Sequence, residues 1–293
     1  MRRILVIGDV IDDVVVRPTG PVRRGTDTAS TIDPSPGGSG ANLAVWVAAA
    51  GGHPRFVGRV GAEDLSRHEQ IFARAGVDAW LTPDPARPTG RIVILVDPDD
   101  GERTMFTDRG ANLGFDPAEL PDAVLDEVAV LHISAYSLFT PSVADAVLDV
   151  VARARQRGIA ISVDPASSAF LEELGIERFW EMLGNVDLFF PNLDEGELLT
   201  GLRDPHEVAS ALREHAETVA LTLGAQGALV AHRSGVIEVE ATTNEVVDST
   251  GAGDAFCGAF LAGWVRGERG EALAAAAVAA GGRAVGFPGG RPR

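Results

Sequence analysis

The chain has 293 residues, of which 45% are hydrophobic and 23% charged, enough apolar material to bury a core and too much for a disordered polypeptide. Its 25 Lys and Arg stand against 42 Asp and Glu, a formal net charge of −17, which repels phosphate backbones and anionic lipid and counts against nucleic acid and membranes as partners. Cys257 is the single cysteine, which excludes an intrachain disulfide and a thiolate-rich zinc site, and the apolar run Ile4 to Gly8 is too short for a signal-peptide core, so a cytoplasmic location is expected.

In chain order, the apolar spacing predicts a strand at Ile4 to Gly8, a helix at Ala41 to Ala50, a strand at Phe56 to Val60 and a helix at Leu65 to Ala75. A strand at Val128 to Ile133, a helix at Ser142 to Arg157 and strands at Ile159 to Val163 and Leu188 to Phe190 follow. Helices at Glu195 to Leu199 and Pro205 to His215 lead to strands at Val219 to Leu223 and Ala228 to Ala231. Helices at Ala252 to Val265 and Glu271 to Val285 come last. Gly51-Gly52, Gly76, Gly158 and Gly267 stand where such helices stop. The alternation reads as a doubly wound α/β core, a mainly parallel sheet flanked by helices.

Two stretches break the alternation, Val14 to Pro36 and Thr89 to Thr107, and both read as antiparallel β material. The second is a hairpin, RIVILV and RTMFT around the turn DPDDGE. Paired, the two stretches form a small β-sheet lid able to exclude water from a reaction. No linker of disordered composition separates lid from core, so residues 1–293 are read as one domain. The arginines at 153, 155 and 157 end a helix, where cations suit the dipole, and the six histidines lack metal-ligand spacing.

The most informative segment is DSTGAGDAFCGAF, Asp248 to Phe260. Gly251, Ala252 and Gly253 offer unhindered backbone N–H groups at a helix start, an anion pocket suited to nucleotide phosphates. A carboxylate is unwelcome beside such phosphates, which suggests a task for Asp254: taking the proton of an acceptor hydroxyl as its oxygen attacks a γ-phosphoryl group. The same residues also make an ordinary helix start with an acidic first turn.

DSTGAGDAF closely resembles the C-terminal signature of the PfkB carbohydrate kinases, the ribokinase family, and GGSGANLAV at Gly37 to Val45 resembles the N-terminal one. GDVIDDVVV, RGAN at Arg109 to Asn112, PNLDEGELLTG at Pro191 to Gly201 and TLGAQG at Thr222 to Gly227 extend the resemblance along the chain. It implies a ribokinase-like fold and an ATP-dependent sugar kinase that phosphorylates a primary hydroxyl, with Asp254 as base and Gly251 to Gly253 as anion hole. Gly38 and Asn42, together with the neighbouring Ser39, would form the sugar site with the aspartate at the end of the first strand, which matches Asp13 best and has Asp12 as its neighbour. Asn192 and Glu195, also a good capping box, would organise Mg²⁺ and its waters. Thr222, Gly224 and Gly227 would lie by the nucleotide, and Asp248 and Thr250 match positions where some members hold K⁺.

Two departures bear on specificity. Ser39 stands where ribokinase carries lysine, and an acidic sugar contact after the strand ending at Ile133 is missing from HISAYSL. The chain also ends soon after Gly289-Gly290, so part of the adenine pocket is expected to be trimmed. A nucleoside kinase of the same family and a non-catalytic sugar or nucleotide sensor are the alternatives. The lid's edge strands suggest a homodimer, as the family does.

Overall fold

The structure is a computed structural model that describes residues 2–98, 103–116, 119–242 and 246–292. Strand β1 (Arg3–Ile7) is apolar on both faces: Ile4 and Val6 pack into one layer of helices, Leu5 and Ile7 into the other. It therefore sits inside a nine-stranded sheet, between β4 (Pro54–Gly61) and β8 (Val128–Ser134), parallel to both. Beyond β4 lies β5 (Asp78–Asp84), and beyond β8 lie β9 (Ala160–Asp164), β10 (Val186–Phe189) and β11 (Ala216–Thr222), again parallel. The antiparallel strands β12 (Ala228–His232) and β13 (Gly235–Val239) complete the far edge.

Helices α1 (Ser39–Ala49), α2 (Leu65–Arg74), α8 (Ala252–Arg266) and α9 (Gly270–Ala284) cover one face. The other carries α3 (Pro141–Gln156), α4 (Ser168–Leu174), α5 (Ile176–Leu183), α6 (Leu193–Thr200) and α7 (Pro205–Leu212). Close approach of α8 to α1 depends on Gly258, where a Cβ would lie 2.8 Å from Trp46 Cβ and 3.0 Å from the Leu43 carbonyl oxygen. Among the described residues no helix is long and apolar enough to cross a membrane.

The two stretches that broke the alternation do pair. β2 (Ile11–Pro18), β3 (Ser30–Gly37), β6 (Gly90–Val96) and β7 (Arg103–Asp108) form a second sheet in the order β3-β2-β6-β7. β2–β3 and β6–β7 are antiparallel, as the hairpin reading expected, and the central pair β2–β6 is parallel. Residues 99–102 of the expected turn lie outside the described residues. One placement is corrected: β2 begins at Ile11, so Asp12 and Asp13 belong to the small sheet and not to the end of the first strand. Strand alternation then turns Asp13 and Ile94 toward the core, both buried, while Val14, Val16, Val93, Leu95 and Phe106 share the opposite face.

Candidate active site

Open α/β sheets bind ligands beyond the carboxyl ends of their strands, where the strand order reverses. The start of α8 lies at that edge. Gly251 caps the helix at φ 75°, and a Cβ there would lie 2.5 Å from Gly290 Cα, so glycine is required by backbone and by packing. Gly253 differs: it has no positive φ, and a Cβ added to it would meet nothing within 4 Å. The fold itself leaves that space open, and Gly253 lines two cavities at once.

The first cavity, about 450 Å³, is walled by apolar groups that include Val246, Phe256, Val278 and Val285. It has the size and polarity of a purine nucleoside site. Helix α9 supplies one wall. Thr222, Gly224 and Gly227 line this cavity. The second cavity, about 230 Å³, is polar and is lined by Ser39, Tyr136, Asp164, Asn192, Glu195 and Asp254 among others. Thr222, Gly253 and Phe256 border both cavities, so the two spaces meet beside the start of α8.

Asp254, in the first turn of α8, accepts hydrogen bonds from Ser39 Oγ at 2.8 Å and Asn42 Nδ2 at 3.1 Å. Burial pushes its carboxyl up to about 7, the charge of Asp164 adds to the rise, and the two donors hold it back. Ser39 and Asn42, expected on the acceptor, thus also hold the residue expected to be the base.

Asn192 and Glu195 make the full capping box at the start of α6: Asn192 Oδ1 accepts from Glu195 N and Glu195 Oε2 from Asn192 N, each at 2.9 Å. Asp164, at the carboxyl end of β9, faces the same cavity and was missed by the sequence reading. The signal was available, a carboxylate closing a core parallel strand. Burial raises the titration of both Asp164 and Glu195, and their mutual repulsion raises Asp164 further. Two such carboxyls fit a divalent cation that keeps most of its water. Among the described residues no group of three or more His, Cys, Asp or Glu forms a closed metal cage.

On the acceptor side, Asp12 is committed to Arg67, with Nη1 to Oδ1 at 2.9 Å, and lies 3.5 Å from His68 Nε2. Burial would raise its titration, but the His68 and Arg67 contacts outweigh it and hold the carboxyl well below the usual range. Asp13 has no such clamp. Burial and then the Asp9 charge push it up to about 7, against the pull of Arg291. Gly38, at φ 91°, lies against the Asp9 carbonyl, where a Cβ would come within 2.4 Å of oxygen. Arg291, not anticipated from sequence, donates from Nε to Asn42 Oδ1 and from Nη2 to the Gly37 carbonyl, both at 2.9 Å.

Asp248 and Thr250 lie together and share one cationic partner, Arg103. Arg103 of β7 donates from Nη1 to Asp248 Oδ1 at 2.9 Å, and its guanidinium also binds the hydroxyls of Ser249 and Thr250. Asp248 further accepts from Thr250 N at 2.9 Å and Gly289 N at 3.1 Å. Burial opposes its ionisation, yet these donors hold its carboxyl below the ordinary value.

Known proteins resemble the chain in sequence and in fold. The chain is 29% identical to a fructokinase of Vibrio alginolyticus over 89% of this chain and 84% of the relative. An adenosine kinase from Sinorhizobium meliloti superposes with a TM-score of 0.89 at 26% identity, covering 99% of this chain and 96% of that one. An Escherichia coli protein assigned as a ribokinase II, in complex with ATP and Mg²⁺, superposes with a TM-score of 0.87 at 25% identity over 99% and 94% of the two chains. The fold is ribokinase-like. Because the family model for the pfkB carbohydrate kinases matches residues 1–292, essentially the whole of both sheets and all the residues above, the chain belongs to that family of phosphotransferases.

Proposed function

We propose that the chain transfers the γ-phosphoryl group of Mg-ATP to a primary hydroxyl of a small sugar, with Asp254 as general base. One observation carries the reading: the glycine loop and Asp254 stand where an apolar, nucleoside-sized cavity meets a polar one lined by carboxylates. As the acceptor oxygen bonds to the γ-phosphorus, its proton passes to Asp254 and the bond from phosphorus to the β-γ bridging oxygen breaks, releasing ADP. Backbone N–H groups of Gly251 to Gly253 face the charge that builds on the transferred group. Asp13, Gly38 and Asn42 hold the acceptor, while Ser39 steadies the base. Mg²⁺, held through its waters by Asn192, Glu195 and Asp164, supplies charge neutralisation to the phosphates when bound. The small sheet acts as the lid of a single catalytic unit and excludes water from the transfer.

Tyr136, on the wall of the polar cavity and edge-on to Phe170, supports a nucleoside as the second acceptor class. ADP release is measured from Mg-ATP against pentoses, hexoses, sugar acids, sugar phosphates and nucleosides. One acceptor is expected to stand out, and Asp254→Asn to lower its turnover by roughly 10²–10⁴-fold. Near-normal turnover of that variant removes Asp254 as base. Tight binding of sugar and ATP with no ADP formed returns the chain to the sensor reading.

A further inference from the structure

The segment 289–291 is docked between the two helix starts that build the site. Gly289 N donates to Asp248 at 3.1 Å, and the Gly290 carbonyl accepts from Trp46 Nε1 at 2.9 Å. Gly290 packs so tightly on Asn42 that a Cβ there would lie 2.4 Å from Asn42 Nδ2. Anchored in this way, Arg291 sends its guanidinium in among the acceptor residues. Nε and Nη2 are taken by Asn42 Oδ1 and the Gly37 carbonyl and the guanidinium carbon lies 5.4 Å from the centre of the Phe72 ring, while Nη1 is buried with no hydrogen-bond partner. A buried, unpaired guanidinium nitrogen is costly, and in a ligand site it points to a group that completes it.

We infer that Arg291 is a positioning residue for the transfer: by donating to Asn42 Oδ1 it fixes that amide with Nδ2 on Asp254, and it leaves Nη1 for a hydroxyl oxygen of an uncharged acceptor. The relay is continuous, Arg291 Nε to Asn42 Oδ1, Asn42 Nδ2 to Asp254 Oδ2, and Ser39 Oγ to Asp254 Oδ1. An amide oxygen turned toward Asp254 would repel the base, so the carboxylate already favours Nδ2. The guanidinium holds the amide in that orientation from its other end. The charges around it select the acceptor. Asp13 and Asp254 act on Arg291 and Asp9 acts on Asp13 and Asp254, while Arg67 matches the charge of Asp12, so an anion entering here meets three carboxyl groups against one guanidinium. A neutral polyol meets no such barrier.

The inference rests on the kinase reading, and its test separates the two. Arg291→Ala and Arg291→Lys are compared with wild type on the best acceptor of the panel, after thermal melts show which variants fold. For Arg291→Ala, kcat is expected to fall roughly tenfold to hundredfold, with acceptor KM raised and ATP KM within about twofold. Added guanidinium ion restores part of kcat in Arg291→Ala and none in wild type. Arg291→Lys keeps the charge without the planar fork and recovers less than half of the lost rate. An unchanged kcat in Arg291→Ala, or a lower acceptor KM that would make the arginine a plug, overturns the inference. A further readout needs no turnover: the exchange of the Asn42 side-chain amide protons by NMR, in the free protein. It is expected to speed up in Arg291→Ala and to slow again with guanidinium. Unchanged exchange overturns the inference even if wild type phosphorylates nothing, an outcome that by itself removes only the kinase reading.

Discussion

A carboxyl held at about 7 beside a phosphate-binding loop is only half ionised at neutral pH, and the two consequences of that have opposite sign. For catalysis the ionised form is the base, so kcat/KM is expected to fall on the acid side with a limb near pH 7, far above an ordinary aspartate; a limb near 4 would show that Asp254 is not the group titrating. For stability, the folded protein holds the Asp254 proton more tightly than the unfolded chain, whose value is near 3.8. That contribution is full below 3.8 and is lost as pH rises through 7. Asp254→Asn removes the buried charge, so its melting temperature is expected to match wild type at pH 4 and exceed it at pH 8, by the equivalent of about 1–3 kcal/mol. Gly253 tests the neighbouring space. Because its Cβ would meet nothing, Gly253→Ala is expected to melt like wild type yet raise ATP KM at least about tenfold, one lost or distorted phosphate contact. A parallel loss of stability would mean that the glycine serves the fold.

At the scale of elements, an arginine that sequence spacing could not reveal joins the small sheet to the segment that leads into α8. Arg103 lies on β7 of the lid and grips Asp248, Ser249 and Thr250, just before the anion loop. It brings a fixed positive charge to the place expected for K⁺. Arg103→Met is expected to lower turnover several-fold and to make the residual rate respond to K⁺, whereas wild type responds little; a large K⁺ activation of wild type would show that the guanidinium yields to the ion. Such contacts, like those of Arg291, join residues more than a hundred positions apart, and no local pattern carries them. What was legible is what local chemistry dictates. The apolar runs of β1, β8 and β11 and the glycine loop before α8 each announce one element or one task. Strand β5, Asp78–Asp84, escaped because Pro83 and Asp84 interrupt its apolar run, which an edge strand tolerates. Helices α4 and α5 escaped because each is only two turns long and Gly175 divides them.

Over the whole molecule, the small sheet has one face turned to the site and one turned away. Along the latter, β2 and β6 set Val14, Val16, Val93 and Leu95 side by side, flanked by Ile32 and Pro34 on β3 and Phe106 on β7. Ile32 is 60% and Phe106 57% exposed. Seven apolar side chains on one sheet face form a patch that a monomer in water does not ordinarily leave open. A second copy is the partner proposed for it, because the same face on each protomer is self-complementary about a two-fold axis. Ile32→Glu and Phe106→Glu, made together, place one negative charge on each flank of that contact, where a symmetry mate would present two more. Wild type is expected to sediment as a dimer and the double variant as a monomer, with an unchanged far-UV spectrum. Since the lid's inner face carries Asp13, separation of the protomers is expected to raise acceptor KM and leave ATP KM within about twofold. A monomeric wild type at micromolar concentration would leave the apolar face without a second copy.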